Sequence, residues 1–155
     1  GLSTMQVTIR TFSELTQEEL YKLLQLRSEI FVVEQECIFL DLDDKDQKAL
    51  HVLGWEGSQL AAYARVFAPG DYFTEASIGR VAVREPFRGR GLGVQIMKES
   101  VEAVECRYGH TDIALSAQKY LEKFYRDLGF VPEGEEYLED GIPHLRMILQ
   151  RNAGT

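Results

Sequence analysis

The sequence predicts an α/β protein in which helices flank a single mixed, twisted sheet. Short runs with strand-like alternation recur along the chain, and two stretches of its second half space their apolar residues three and four apart, as one face of a helix does. The resulting order of strand, helix, strand and helix requires at least one parallel strand pair with a crossover connection. No repeat or linker divides the 155 residues, so we expect one domain over residues 1–155.

The first half of the chain begins with a strand and a capped helix. Residues 6–12 alternate as a strand, and Thr16 followed by Glu19 is a capping-box pattern that predicts a helix start. The buried side of this helix would carry Leu20, Leu23, Leu24 and Phe31. Residues 34–48 are acidic and without period, which indicates a loop, and strands are expected at 51–55, 59–67 and 77–84. Met5 is a candidate natural start, so that residues 1–5 would be partly an addition or disordered.

Two helices and three strands are expected in the second half. The first helix would present Val94, Met97, Val101, Val104 and Tyr108 on one face. The second would present Ala117, Leu121, Phe124 and Leu128 and end at Gly129. Strands are expected at 112–116, 130–138 and 142–149, the last two joined by a turn at 139–141.

Charge and cysteine content exclude several classes of function. Acidic residues outnumber basic ones 25 to 17, which gives a net charge of −8 and argues against nucleic-acid binding. Cys37 and Cys106 have neither disulfide nor metal-ligand spacing, so they predict reduced thiols, a cytoplasmic location and no metal. No apolar run approaches the roughly 20 residues of a membrane helix, and no signal peptide is visible, so no membrane association is expected.

The segment from Val81 to Gly93 carries the clearest functional signal. Gly89, Gly91 and Gly93 lie where a strand gives way to an amphipathic helix. Glycine lets a ligand approach the backbone, and the unpaired N–H groups of a helix start favour a phosphate. Five basic residues and one acid between positions 80 and 98 add a local charge of +4. The segment fits neither the P-loop nor the dinucleotide pattern. It therefore predicts a site for another phosphate-bearing ligand.

The pattern Arg88-x-x-Gly91-x-Gly93 resembles the pyrophosphate motif of the GNAT N-acetyltransferase superfamily. The order of strands and helices matches that family over nearly the whole chain, and segments such as 31–35, 78–81 and 137–144 are similar to its ElaA-like subgroup. The resemblance implies a GNAT-like acyl-CoA N-acyltransferase fold that binds acetyl-CoA. In that case Val81, Ala82 and Val83 offer backbone to the pantetheine and the thioester. The pyrophosphate is held by Arg88, Gly89, Arg90, Gly91, Leu92, Gly93 and Val94.

The segment 124–130 resembles the second signature of this family, a tyrosine four residues before Gly-Phe. The resemblance implies that Tyr125 protonates the departing CoA thiolate, and a phenol with a pKa near 10 can do so when the two groups are held close. The helical spacing places Gln118 on the same face as Tyr125. Gln118 stands where many relatives have an asparagine that contacts the pantetheine, so it is a further candidate for cofactor binding.

The general base is left open by the sequence. An amine with a pKa near 10 must lose a proton before it attacks, and the candidates to accept that proton are Glu34, Glu85, His144 and an ordered water. Two acidic clusters, residues 34–46 with a charge of −5 and residues 133–140 with five acids, are either solvated surface or an attraction for a cationic amine.

These observations predict an N-acetyltransferase that moves the acetyl group from acetyl-CoA to a primary amine. Direct attack in a ternary complex is expected, because neither cysteine has the setting of a nucleophile. The alternatives are a CoA-binding sensor or interaction module without catalysis, and a phosphate-ligand domain unrelated to CoA. The final hairpin leaves a homodimer possible, and the sequence does not identify the acceptor.

Overall fold

The computed structural model describes residues 5–151 and shows a mixed sheet flanked by helices, as the sequence predicts. The strands are β1 (Gln6–Thr11), β2 (Leu50–Glu56), β3 (Gln59–Phe67), β4 (Ala76–Val83), β5 (Ile113–Gln118), β6 (Val131–Pro132), β7 (Tyr137–Glu139) and β8 (Ile142–Leu149). The helices are α1 (Gln17–Arg27), α2 (Leu92–Tyr108) and α3 (Glu122–Asp127). Residues 1–4, which we expect to be an addition to the natural sequence, lie outside the described residues.

The sheet order is β1-β2-β3-β4-β5-β8-β6, and β7 pairs with β8. Neighbouring strands are antiparallel except β4 and β5, which are parallel. The helix α2 connects these two strands, which is the crossover that parallel pairing needs. The parallel pair lies in the middle of the sheet and positions the candidate site.

Alternation along the strands divides the core between the two faces of the sheet. Val52 packs in the cluster that contains α2, and the next residue, Leu53, packs in the cluster that contains α1. Successive side chains point to opposite faces of a strand, so both faces are covered and the sheet is the middle of three layers. Met5 is buried in the α2 cluster, so the expectation of disorder does not hold for that residue.

The first helix begins where the capping box predicts. The Thr16 hydroxyl accepts the Glu19 N–H at 3.0 Å, and the Glu19 carboxylate accepts the Thr16 N–H at 2.8 Å. After Arg27 the helical path continues as a π-helix over Ser28–Glu34, a form that is frequent at functional sites.

Three predicted elements differ from those observed. On α2, Met97, Val104, Val101 and Tyr108 pack in the core as predicted, and only Val94 of the predicted face is exposed. The buried side of the helix also carries Leu92, Ile96, Ser100 and Ala103. The stretch 130–138 forms two short strands, β6 and β7, because Gly134 takes a positive φ of 84° between them. The third helix begins at Glu122 rather than near residue 117, since β5 continues through Gln118.

Candidate active site

The parallel strands β4 and β5 are paired only at their first residues. Ala76 pairs with Ile113 and Ser77 with Ala114, although β4 continues to Val83 and β5 to Gln118. A cleft of about 630 Å³ lies where the strands separate, and both contribute to its wall. The edge of β4 that faces the cleft offers N–H and C=O groups to a ligand, and an extended chain can add to such an edge as a strand would.

The start of α2 has the backbone geometry of an anion site. Gly89 and Gly91 have φ values of 82° and 77°, in the left-handed region that favours glycine, and Gly91 is the residue that precedes the first helical turn. Leu92 is buried and anchors this end of the helix in the core. A β-carbon at Gly93 would lie 3.4 Å from the Phe124 ring, which is ordinary contact, so this end of α2 packs directly against α3. The free N–H groups of the first turn therefore lie at the surface, where a phosphate can reach them.

The basic charge of residues 80–98 is largely matched by acids from residues 29–41. Arg80 forms an ion pair with Asp41, and Arg84 forms one with Glu29 at 3.2 Å. Arg88 donates from Nε to the Val83 carbonyl at 2.9 Å and from a terminal nitrogen to Glu34 at 2.7 Å. Ion pairs therefore neutralise most of the local charge of +4 at these three arginines, and the predicted phosphate site would depend on the backbone as well as on charge. Within residues 5–151, Arg90 has no ion-pair partner, and its guanidinium lies 5.5 Å from the centre of the Phe87 ring.

Tyr125 is a residue of α3 with a nearly buried side chain, 7% exposed, on the wall of the cleft. Its ring packs edge-to-face against Phe124 and Phe130, at centroid distances of 5.0 and 6.0 Å. Burial raises the pKa of the Tyr125 phenol above its ordinary value of 10, so this group holds its proton more firmly than an exposed tyrosine does. A neutral phenol on the cleft wall can donate its O–H to a group held next to it.

Gln118 lies on the same cleft as Tyr125, but not on the same helix. It is the last residue of β5, so the prediction of a shared helical face is wrong. The helical spacing of apolar residues extended one turn too far back, because Ala117 is buried as a strand residue. The Gln118 amide donates to the Gln35 side chain at 3.3 Å, which links β5 to the segment after the π-helix.

The three side chains considered as a general base have different surroundings. His144 is 6% exposed on β8, its Nδ1 bonds to the Ile142 carbonyl at 2.7 Å, and its Nε2 lies 3.4 Å from the Glu139 carboxylate. Since a carbonyl only accepts, Nδ1 carries a proton and Nε2 is left to exchange one. Glu34 lines the cleft but holds Arg88. Glu85 is exposed in a short 3-10 helix outside the cleft wall.

Three carboxylates of the first acidic cluster, residues 34–46, are bound to arginines of the protein. At these positions the cluster is neither a solvated surface nor available to attract a cationic substrate. Asp46 accepts from Arg27 at 2.7 Å and from Arg65 at 3.0 Å, and Asp43 takes both terminal nitrogens of Arg65 at 2.8 Å. Arg27 and Arg65 are 0% and 1% exposed. Together with Asp41, these residues form a buried ion network that fixes the loop after the π-helix.

The sequence did not indicate the role of several residues that line the cleft or hold its wall in place. Arg27 and Arg65 each interrupt an apolar face, which is the signal that would have indicated buried partners. Glu139 belongs to the second acidic cluster, but no sequence pattern places it beside His144. The hydroxyls of Ser116 and Tyr137 are hydrogen-bonded to each other, and no sequence signal joins these two positions.

The fold and the cleft agree with the relationships of the sequence. A family model described as an acetyltransferase (GNAT) domain matches residues 13–151, so the chain belongs to the GNAT acetyltransferase family. Within that family it is similar to the protein ElaA of Escherichia coli strain K12, with 43% identity over 137 residues that cover 87% of this chain and 90% of the relative.

Two solved structures extend this likeness to three dimensions. An acyl-CoA N-acyltransferase from Pseudomonas aeruginosa is 41% identical and superposes with a TM-score of 0.89, covering 94% of this chain and 99% of its own. The crystal structure of Escherichia coli ElaA is 39% identical with a TM-score of 0.89, covering 95% of this chain and all of its own. The acyl-CoA N-acyltransferase fold and the ElaA-like resemblance are thus confirmed.

The family relationship establishes a coarse activity, that of a transferase using an acyl-CoA and an acceptor substrate. Over residues 5–151, His, Cys, Asp and Glu nowhere come together in the groups of three or more that a metal ion would need. No helix in that same range is long and apolar enough to span a membrane.

Proposed function

We propose that the protein transfers the acetyl group of acetyl-CoA to a primary amine by direct attack in a ternary complex. The observation that carries this proposal is a cleft lined by the separated edge of β4, by Arg88 and by the side chain of Tyr125. The start of α2 lies beside it, where Gly93 is next to Val83 and the Phe124 ring. One end of the cleft suits an anionic cofactor and the middle suits a thioester. The other end has residues from the π-helix, its following loop and the β7–β8 hairpin, which leaves room for an acceptor.

Binding of the cofactor would use backbone more than charge. The pantetheine would add along Val81, Ala82 and Val83, and the pyrophosphate would lie on the N–H groups of residues 88–94. Arg90 is placed to meet a phosphate without losing an ion pair, whereas Arg88 would have to share its guanidinium with Glu34. Gln118 lies on the opposite strand, where its amide can meet the pantetheine.

The chemical step needs two proton transfers in the cleft. The amine nitrogen attacks the thioester carbon, and backbone N–H groups of β4 stabilise the oxyanion that forms. When the intermediate collapses, the C–S bond breaks and Tyr125 gives its proton to the sulfur. We assign the acceptance of the amine proton to Nε2 of His144, because Glu34 is engaged with Arg88 and Glu85 lies outside the cleft wall. An ordered water between the amine and either group is the remaining alternative.

The acceptor is proposed to be cationic, which rests on the second acidic cluster. Every residue from Glu133 to Asp140 is exposed, and Glu139 and Asp140 line the cleft. A cytoplasmic location agrees with the two free cysteines, and a homodimer through the β7–β8 hairpin stays an expectation.

The test combines a binding measurement with turnover. Calorimetry with acetyl-CoA comes first, followed by a thiol-release assay with a panel of amines. We expect Tyr125→Phe to lower kcat by about 10²- to 10⁴-fold, the usual contribution of a general acid, with nearly unchanged acetyl-CoA affinity. Tyr21→Phe, a change at an exposed tyrosine of α1, is the matched control.

Four results would contradict parts of this proposal. Unchanged turnover in Tyr125→Phe removes that residue from the mechanism. CoA binding without release of thiol for any amine favours the non-catalytic sensor or interaction module. Absence of CoA binding would overturn the assignment of acetyl-CoA itself. The cationic acceptor is rejected if neutral or anionic amines react faster than lysine-type amines and polyamines.

A further inference from the structure

The β4 strand contains a bulge in the part that lines the cleft. Tyr63 pairs with Ala82 and Arg65 pairs with Gly79, so the single residue Ala64 of β3 faces two residues of β4, Arg80 and Val81. A bulge bends its strand and re-aims the groups next to it. Here those groups are the backbone of Val81 and Ala82, which the proposed function directs at the thioester.

Arg80 is held in a conformation that its side chain disfavours. Its φ is 50°, in the left-handed region, where a β-carbon crowds the following carbonyl. Glycine would adopt this conformation freely, and the preceding residue is Gly79, but the sequence has arginine at the bulge itself. A residue in such a conformation persists only when its surroundings hold it there.

Asp41 supplies that hold. Arg80 donates from Nε to Oδ1 of Asp41 at 2.8 Å and from a terminal nitrogen to its carbonyl at 3.0 Å. The other carboxylate oxygen accepts Nε of Arg27 at 2.8 Å, and Arg27 also donates to the carbonyl at 3.2 Å. Asp41 is 3% exposed and Arg27 is fully buried, so the end of α1 fixes Asp41 and Asp41 fixes Arg80.

We propose that Asp41 is a positioning residue that holds the Arg80 bulge and thereby aims the backbone of Val81 and Ala82 at the reacting thioester. This inference rests on the proposed function. Arg80, Val81 and Ala82 line the cleft, whereas Asp41 is buried behind that wall and acts through Arg80. The direction of the Val81 and Ala82 backbone is thus set by Asp41, a residue that does not line the cleft.

The first arm of the test compares two substitutions at Arg80. Arg80→Ala and Arg80→Gly both remove the guanidinium, but only alanine keeps a β-carbon at the positive φ. If the backbone conformation is what matters, Arg80→Gly retains about tenfold more turnover than Arg80→Ala, since a small misplacement of reacting groups costs up to about 10²-fold. Equal losses in the two variants would show that the bulge is not the point of action and would overturn the proposal.

The second arm uses Asp41→Asn, with Asp44→Asn as the matched control. Asp44 lies in the same loop, is exposed and also has a positive φ, of 63°. We expect Asp41→Asn to lower kcat by about 10- to 100-fold with little change in acetyl-CoA affinity, and Asp44→Asn to behave as the unaltered protein. Both are measured at a temperature where circular dichroism shows them folded. Full kcat in folded Asp41→Asn overturns the proposal.

A readout that needs no activity separates this inference from the proposed function. Amide hydrogen exchange is measured over residues 79–83 in the unaltered protein and in each variant. We expect faster exchange there in Asp41→Asn and Arg80→Ala, and no change in Asp44→Asn. If the unaltered protein transfers no acetyl group, the proposed function fails while the exchange result still decides whether Asp41 holds the bulge. Unchanged exchange in Asp41→Asn counts against it.

Discussion

The two acidic segments of the chain, residues 34–46 and 133–140, both contribute carboxylates to the wall of the cleft. In the first segment Asp41 and Asp46 are 3% and 7% exposed and bind arginines of α1, β3 and β4. In the second, every residue is exposed; Glu133 pairs with Arg146 at the surface, and Glu139 lies near His144.

The difference shows that a carboxylate takes its role from what the fold places opposite it. The first segment faces arginines with buried side chains, so its carboxylates neutralise their charge and fix the loop that carries them. The second segment faces solvent and the open end of the cleft, so its charges stay available to a substrate or a proton. Three experiments test this difference between the two segments.

The first experiment asks whether the general base is Glu34 of the first segment or His144, which lies beside Glu139 of the second segment. We expect His144→Gln to lower kcat by about 10²- to 10⁴-fold, because it removes the group that we assign to the amine proton. Glu34→Gln should cost less than about tenfold, since it removes only a partly exposed ion pair with Arg88, and such pairs are worth about 0–1 kcal/mol. The measurement is steady-state kinetics with one amine at saturating acetyl-CoA.

The control for this pair separates chemistry from folding. His144 is 6% exposed, so thermal unfolding of His144→Gln is followed in parallel, and His144→Ala is assayed with added imidazole. Recovery of turnover by imidazole supports a base at this position. If Glu34→Gln loses more turnover than His144→Gln, the base belongs to the first segment. Small losses in both would assign the proton to an ordered water.

The fold could be predicted from the sequence to a large extent because local patterns determine most of it. The capping box at Thr16 and the strand β3 at Gln59–Phe67 were predicted at the residues observed. The order of elements as far as α3 and the glycine-rich start of α2 also followed from local patterns, whereas the tyrosine of α3 was singled out by the resemblance to the GNAT family.

The missing parts of the site depend on partners that are distant in the chain. Arg80 and Asp41 are 39 positions apart, and Arg65 and Asp43 are 22 apart, so no periodicity joins them. The net charge summed over residues 80–98 also takes no account of acids elsewhere in the chain that pair with these arginines. The wrong assignment of Gln118 to a helix has a local cause. Both β5 and α3 have apolar residues near their junction, so the spacing of apolar residues alone does not show where the strand ends and the helix begins.

The second experiment measures what the first segment contributes to stability. Asp46→Asn removes the charge shared by two buried arginines, and we expect it to lower the free energy of unfolding by about 3–5 kcal/mol. Glu135→Gln makes the same change at an exposed position of the second segment and should stay within about 0.5 kcal/mol. Urea unfolding at neutral pH gives both values. Similar values for the two variants would abolish the distinction between the segments.

The third experiment follows the pH dependence of the first segment through Asp43, with a smaller expected effect. Burial alone would raise the pKa of this carboxyl, but hydrogen bonds and charge from Arg65, with Arg80 nearby, lower the pKa from 3.8 to about 2. A depressed pKa means that the unfolded chain binds the proton more readily. The stabilisation is therefore complete above about pH 4 and is lost as the pH falls toward 2.

Comparison of Asp43→Asn with the unaltered protein isolates this contribution. The difference in the free energy of unfolding should be largest and constant from pH 5 to 7, decrease between about pH 4 and 2, and vanish at the acid end. Asp44→Asn, an exposed neighbour outside the arginine network, controls for the change in net charge. A difference that persists unchanged to pH 2 would mean that Asp43 acts through packing and hydrogen bonds, and that its ionisation contributes nothing to holding Arg65.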